Sequence, residues 1–415
     1  MIGQLIIKDM LPNLDPAQFA NQKGISLQHY LVQMIDRILT DTDSSTKGEA
    51  NAVIATLYDW KEAFPRQDPK LGVEAFIRCG VRPALIPLLT SYFQERTMVV
   101  KWKGVTSSER KLNGGGPQGS LFGNWEYLGQ SNENAECVDE GYKFKFVDDL
   151  SVLEKINLLL IGLASHNYKS TVANDVSLSG QIISAEHLKS QYYLDSIQNW
   201  TRNQKMILND QKTKVMIFNF TENHQFSTRL KLNDEKLEVV KQAKLLGLIL
   251  TDDLKWDENT HYLVKRAYAR MQILRKASTF TNNISDLRTI YIMYIRSILE
   301  QNCVVWHSNL SEKNTVKLER VQKVAVRIIV GNYEDYGKAL EKLDLEPLSD
   351  RRVELCKKFA IKCTENQKMK EMFPLKQKAH DKNLRKEEKY VVKHARTDRL
   401  RKSAIPFMQR LLNAS

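Results

Sequence analysis

The stretch YKFKFVDDLSVL, Tyr142–Leu153, decides how this chain is read. Tyr142–Val147 alternates aromatic with basic side chains, the period-two pattern of a strand with one buried face. Leu150–Leu153 can return as a second strand, so Asp148 and Asp149 fall where the chain turns between them. On a straight strand two consecutive residues point to opposite faces, whereas a turn lets both serve one site. An Asp-Asp pair by itself describes a solvated turn. Asp252-Asp253, which precedes Leu254-Lys255-Trp256 with no partner motif, is such a case.

What changes the reading lies upstream. Ala52–Tyr58 (AVIATLY) is a short apolar run of the kind that makes a buried strand, and it ends at Asp59. Carboxylates at strand ends are held rigidly, and those from different strands can converge on hard divalent cations. Mg²⁺ takes one or two carboxylates together with substrate phosphates and water. Two such ions, Mg²⁺ or Mn²⁺, can activate an attacking hydroxyl and stabilise the leaving oxygen of an in-line phosphoryl transfer. Without a cation the same carboxylates repel and raise one another's pKa. Asp59, Asp148 and Asp149 are therefore the candidate metal ligands and catalytic carboxylates, with Asp148 expected beside Asp59 and Asp149 assisting.

Outward from these motifs the pattern is α+β to about residue 255. Residues 26–39 read as an amphipathic helix capped by Ser26. Helices are expected around 69–79 and 83–95 and over Ala185–Arg202. Strands are expected at Met98–Lys103, Lys214–Phe220 and Lys244–Leu250, with a polar loop over 164–184. Gly114, Gly115 and Gly116 break regular structure before Pro117. Beyond Trp256 the period becomes helical. Val264, Ala267, Met271 and Leu274 share one face, and Val316–Val330 makes another helix closed by Gly331.

The 415 residues suffice for two or three modules, and a hydrophobic fraction of 42% excludes wholesale disorder. A net charge of +13 suits a polyanionic partner, although a basic soluble surface explains it equally well. Cys356–Lys402 carries sixteen Lys or Arg against six Asp or Glu, +10 of the +13. Those cations could neutralise phosphates, with a solvated tail as the competing reading. The five cysteines have no zinc-binding spacing and read as ordinary thiols of a reducing compartment. Met1–Leu11 has no signal-peptide character and no stretch is apolar enough to span a bilayer. The expected setting is intracellular, in nucleus or cytoplasm, away from membranes.

Five ordered motifs resemble the non-LTR (LINE-type) retrotransposon reverse transcriptases of animal genomes. YDWKEAF (Tyr58–Phe64) is similar to that family's first palm motif, GGGPQGSLFG (Gly114–Gly123) to the second, and FVDD (Phe146–Asp149) to its aromatic-x-Asp-Asp box. LNDQKTKVMIF (Leu208–Phe218) resembles the fourth motif, and KLLGLIL (Lys244–Leu250) the hairpin that grips the primer terminus. Similarity continues through Trp306, LERVQKVAVRIIVG (Leu318–Gly331) and Arg351-Arg352, from about Gln18 to the end. Five motifs in order are far more specific than any one.

The resemblance implies an α+β fold: a right-hand palm of antiparallel sheet with packed helices, then a mainly helical thumb and C-terminal region. The corresponding division is a fingers remnant at 1–50, palm at 51–257, thumb-like helices at 258–300, a helical region at 301–352 and a basic tail at 353–415. It implies an RNA-directed DNA polymerase acting on RNA template, DNA primer and deoxynucleoside triphosphates. Phe64 would exclude a ribose 2′-hydroxyl, Gln118 and Gly119 would lie against the nucleotide and template, and Lys212 could neutralise or protonate departing pyrophosphate. An ordinary core aromatic and an exposed turn lysine are the competing readings of Phe64 and Lys212. Pro65-Arg66 replaces the Asp that often follows the motif's aromatic, an upstream fingers segment is missing, and neither an endonuclease domain nor a Cys/His knuckle accompanies the chain. An open-reading-frame fragment is expected, and a catalytically inactive nucleic-acid-binding fragment is the alternative function.

Overall fold

The strand β1 (Asn51–Tyr58) is buried along its whole length, as a continuous apolar run should be. The computed structural model of the protein describes residues 2–43, 50–112, 114–117, 119–158, 181–183, 188–221, 226–376 and 389–414. In it β1 is the central strand of five. With β2 (Lys143–Phe146), β3 (Asp149–Asn157), β4 (Lys214–Phe218) and β5 (Glu238–Val239), the sheet order is β5-β4-β1-β3-β2. The expected antiparallel sheet holds for β2–β3, where Phe146 pairs with Asp149, but β5 runs parallel to β4. The sheet is mixed because a two-residue edge strand returns from the segment after β4 in the same direction.

Helices Ile2–Met10, Pro69–Arg78, Ile86–Phe93 and Leu121–Gln130 bury a common core of Ile6, Met10, Phe76, Leu89, Phe93 and Trp125. The helix Leu121–Gln130 has no counterpart among the sequence expectations. The strand expected at Met98–Lys103 is broken instead. Thr97–Met98 pairs with Arg110–Lys111, and Lys101–Trp102 pairs with Val105–Thr106 across a turn with positive φ at Lys103 and Gly104. Two positive φ values in a two-residue turn match the right-handed twist of a hairpin, so the chain folds back rather than running on. The helix expected from Ala185 begins at Lys189. The loop expected over 164–184 lies outside the described residues except for Gln181–Ile183, which is a strand pairing parallel with Phe226–Thr228.

By contacts the chain forms two compact units, one of residues 1–22, 52–217 and 221–240, the other of 23–51, 218–220 and 241–415. The first contains the sheet core and the helices just named; the second is mainly helical. In the second, Lys244–Leu250 is not one strand but the two arms of a hairpin, Gln242–Leu245 and Leu248–Thr251, turning at Leu246 (φ 46°) and Gly247 (φ 80°). The helix Leu27–Thr42 starts with a reciprocal cap between Ser26 and His29 and belongs with C-terminal elements of the same unit. His29 packs on Phe359 at 4.5 Å between ring centroids, and Asp36 pairs with Lys393 at 2.6 Å. The long helices Asp257–Phe280, Glu312–Val330 and Leu348–Glu365 follow, the second ending at Gly331 with φ 82°. The described part of 353–415 is no solvated tail: Cys356, Phe359, Cys363, Met369, Leu400 and Met408 are buried. Its cations sit on the outer faces of packed segments whose apolar faces point inward. No described helix is long and apolar enough to cross a membrane.

Candidate functional site

Asp59 follows the last residue of β1 directly, so the central strand of the sheet aims it. Its backbone and side chain are fixed from the segment leading into β4. The Asn209 amide donates to the Asp59 carbonyl at 2.8 Å, its side-chain Nδ2 donates to Asp59 Oδ2 at 3.1 Å, and the Asp59 amide donates to Thr213 Oγ1 at 3.3 Å. One residue on, the Trp60 indole Nε1 donates to the Asp148 carbonyl at 2.8 Å, tying the end of β1 to the β2–β3 turn.

That turn is Val147-Asp148, between the paired Phe146 and Asp149. Val147 has φ 59°, a conformation that a β-branched residue rarely takes. It is held there because the Val147 amide donates to Gln18 Oε1 at 3.2 Å. Such strain costs on the order of 1–3 kcal/mol and is characteristic of functional turns.

The charge of Asp59 reaches both Asp148 and Asp149. Asp149 is pushed up to about 6, by burial first and then by the charges of Asp148 and Asp59. Asp148 is raised as well, by loss of surrounding water and by Asp59, against a backbone hydrogen bond that lowers it. None of the three forms an ion pair with Lys or Arg among the described residues, whereas Asp9, Asp15, Asp36, Asp41, Asp68 and Asp210 all do. As the side chains stand, no three His, Cys, Asp or Glu among the described residues converge tightly enough to hold a metal ion. Both observations are compatible, because charge acts over longer distances than the roughly 2.0–2.6 Å of a cation–oxygen bond. Like charges with no cation between them stay apart. In donor chemistry the cluster suits a hard divalent cation: three oxygen ligands with uncompensated negative charge.

Phe64 is half-buried and lies against Tyr127, with ring centroids 4.9 Å apart. Tyr127 is fully buried and its hydroxyl is pushed well above its ordinary value, by burial first and then by Asp148 and Asp149. Tyr127 thus touches the Phe64 ring and also feels the charges of Asp148 and Asp149. The glycine loop folds onto the same corner. The Gly116 amide donates to the Phe64 carbonyl at 3.0 Å and the Gly115 amide to the Gln67 carbonyl at 2.8 Å. Gly115 has φ 84°, and a Cβ there would sit 3.2 Å from the Pro65 carbonyl oxygen, so a side chain would be both strained and crowded.

No protein-family profile matches the chain. A probable RNA-directed DNA polymerase from transposon BS of Drosophila melanogaster is 24% identical over 323 residues, 75% of this chain and 32% of the relative. A probable RNA-directed DNA polymerase from transposon X-element of the same organism is 22% identical over 322 residues, 76% of this chain and 32% of the relative. The chain is a relative of the non-LTR transposon RNA-directed DNA polymerases. It spans about a third of the length of those relatives. Among solved structures, apo telomerase from Candida tropicalis matches with a TM-score of 0.39 and 12% identity, over 88% of this chain and 57% of that one. Telomerase from Candida albicans in complex with a telomeric RNA fragment matches with a TM-score of 0.37 and 12% identity, over 89% and 57%.

In this polymerase relative the charges of Asp59 and Asp148 raise Asp149, and Phe64 packs on Tyr127, which feels Asp148 and Asp149. Lys212 is exposed, in the turn that also carries Asn209, whose Oδ1 accepts from the Lys212 amide at 3.3 Å. Gly119 has φ 83° and open space around it, and Gln118 lies outside the described residues. Sequence reasoning missed Trp60, Tyr127, Asn209 and Thr213. Asn209 and Thr213 lie within the quoted LNDQKTKVMIF, so the motif was found but not its bonds to Asp59.

Proposed function

We propose that this chain is the polymerase portion of a retrotransposon reverse transcriptase, joining deoxynucleotides to a DNA primer on an RNA template with Mg²⁺ or Mn²⁺. In this reading residues 1–50 are a fingers remnant, residues 51–257 act as palm, 258–300 as thumb-like helices, 301–352 as a helical C-terminal region and 353–415 as its basic extension. The observation that supports it most is the trio Asp59, Asp148 and Asp149, in which the Asp59 charge raises both others and none has a Lys or Arg ion-pair partner among the described residues. Asp59, Asp148 and Asp149 would hold two divalent ions, which supply charge neutralisation at the transferring phosphoryl group.

The chain's own residues do the positioning. Asn209 and Thr213 hold Asp59 in place, and Trp60 holds the turn bearing Asp148. Phe64, braced by Tyr127, would take the space of a ribose 2′-hydroxyl and so favour deoxynucleotides. Lys212, whose turn also carries Asn209, would meet the departing pyrophosphate as a charge partner or proton donor. Gln118 and Gly119 belong to the loop that would lie along nucleotide and template.

Primer extension on an RNA template tests this. Incorporation that depends on Mg²⁺ or Mn²⁺ and vanishes in Asp148→Ala, with template binding kept, is the expected result. A second reading, a nucleic-acid-binding fragment without catalysis, is favoured by side chains that do not converge at metal-ligand distance. Binding without extension in either protein would establish that one.

A further inference from the structure

The hairpin between the Phe64 corner and the glycine loop has no assigned task, and its surface is unusual for one. Its outer half is the pairing of Lys101 with Thr106 and Trp102 with Val105, extended one step by the Ser107 amide donating to the Val100 carbonyl at 2.9 Å. Alternation along these strands sets Val100, Trp102 and Val105 on one face. They are 57%, 73% and 72% exposed. A two-stranded hairpin is marginal in water, and among the described residues none covers this face.

Charge says what covers it. Arg96–Lys111 contains five cations and one anion, Glu109. Lys101, Lys103, Arg110 and Lys111 are exposed and form no ion pair among the described residues. Lysines also guard sheet edges against unwanted strand pairing, which would account for Lys101 and Lys103. Guarding does not require an indole and two valines presented together. An aromatic platform flanked by free cations is what an unpaired polynucleotide needs, with base faces on the ring and phosphates on the lysines.

The hairpin base is anchored at the candidate site. The Leu112 amide donates to the Arg96 carbonyl at 2.8 Å, and the Arg96 guanidinium donates to the Gly115 carbonyl, in the loop that bonds to Phe64. We infer that the hairpin Thr97–Lys111 is a binding site for unpaired RNA nucleotides, stacked on Trp102 and held by Lys101 and Lys103. This rests on the polymerase reading, in which the RNA is the template strand.

The test is fluorescence anisotropy of the full chain with a labelled single-stranded RNA and with a blunt RNA–DNA hybrid. Trp102→Ala should weaken binding of the single strand about tenfold and leave the blunt hybrid unchanged, and Trp102→Phe should restore most of the loss. Lys101→Gln with Lys103→Gln should reduce the slope of log affinity against log salt by about 1.4, two single-strand phosphate contacts. Because Trp102 is exposed, unchanged melting of the variants keeps the comparison free of unfolding. Equal single-strand affinity of Trp102→Ala and the parent overturns the inference while leaving primer extension, and with it the polymerase reading, intact. A parent chain that binds neither probe overturns both.

Discussion

Glu126 offers the sharpest test of the structure, because its environment makes a quantitative demand on pH dependence. The side chain is 1% exposed, and neither carboxyl oxygen has a hydrogen-bond partner among the described residues. It occupies space that two glycines leave: a Cβ on Gly72 would sit 2.2 Å from Oε1, and one on Gly116 3.3 Å from Oε2. That same Cβ on Gly116 would lie 2.0 Å from Oε1 of Gln67, itself buried and without a hydrogen-bond partner among the described residues. Burial pushes the Glu126 carboxyl from 4.5 up to about 8, with Arg96 pulling the other way. A raised carboxyl means the folded chain keeps a proton the unfolded chain has already released. Stability is therefore full below about pH 4.5 and falls as pH rises towards 8. At about 1.4 kcal/mol per pH unit, the whole loss is about 5 kcal/mol and the part felt at pH 7 about 3 kcal/mol. Glu126→Gln keeps the shape and removes the titration. Urea unfolding of parent and variant in parallel, from pH 4.5 to 8.5, cancels every other group, and the variant should gain steadily on the parent across that range. A difference that stays flat, or grows towards acid, would refute the buried placement of Glu126 beneath the glycine loop.

Three further outcomes are expected. Excess Mg²⁺ or Mn²⁺ should raise the melting temperature of the parent and not of Asp148→Asn, while in chelator at pH 8 the variant should be the more stable of the two, read by thermal scanning. Asp15 holds Lys145 at 2.6 Å and Lys143 at 3.1 Å, and burial already pulls Lys145 down to about 8 despite Asp15, so Asp15→Asn should cost about 3–5 kcal/mol at pH 7 in chemical denaturation. Part of that loss should return at pH 9, since a lysine with a lowered pKa sheds its destabilising charge as pH rises. Val147→Asn should stabilise by about 1 kcal/mol in the same assay, because asparagine tolerates the positive φ that valine does not.

Elements whose signal is local were legible in the sequence. β1 announced itself as an apolar run, the β2–β3 hairpin by alternation, the helix Leu27–Thr42 by its Ser26 cap and the end of Glu312–Val330 by Gly331. The helix Leu121–Gln130 was hidden by Gly123 and Gly129, each costing about 1 kcal/mol of helix propensity. Tertiary packing imposes both: a Cβ on Gly123 would meet the Pro117 carbonyl at 2.6 Å, and one on Gly129 would meet Met10 at 3.1 Å. Such residues read as helix breakers until the neighbour is known. In the site the same limit applies. Carboxylates could be named from strand ends, but Asn209 bonds Asp59 across 150 residues of chain, and Tyr127 reaches Phe64 from a helix the pattern concealed. Nor does an amphipathic face say what it will meet, which is why Lys23–Asn51 belongs with residues 241–415 and not with the N-terminal segment.

Asp59, Asp148 and Asp149 differ from the aspartates that this fold pairs with lysine, and from the lone buried Glu126 in standing at one turn and one strand end. Asp15 is buried and takes two lysines, Asp36 takes Lys393, and even the surface residue Asp210 takes Lys61 at 2.9 Å. With 62 Lys and Arg in the chain, cations are not scarce. Yet three acids are assembled at the end of the central strand and across a strained turn with no such partner among the described residues. Ionising Asp149 there costs about 3 kcal/mol relative to water, from the rise to about 6, a sizeable share of the stability of an ordinary domain. A lysine in that space would remove the cost at once and would also block it. Acids that bear such a cost without a built-in cation are what binding of an exchangeable cation requires. If Mg²⁺ and chelator left both stability and the titration of Asp149 unchanged, the cluster would be a solvated acidic turn, and Phe64, Tyr127 and the glycine loop would surround no reaction.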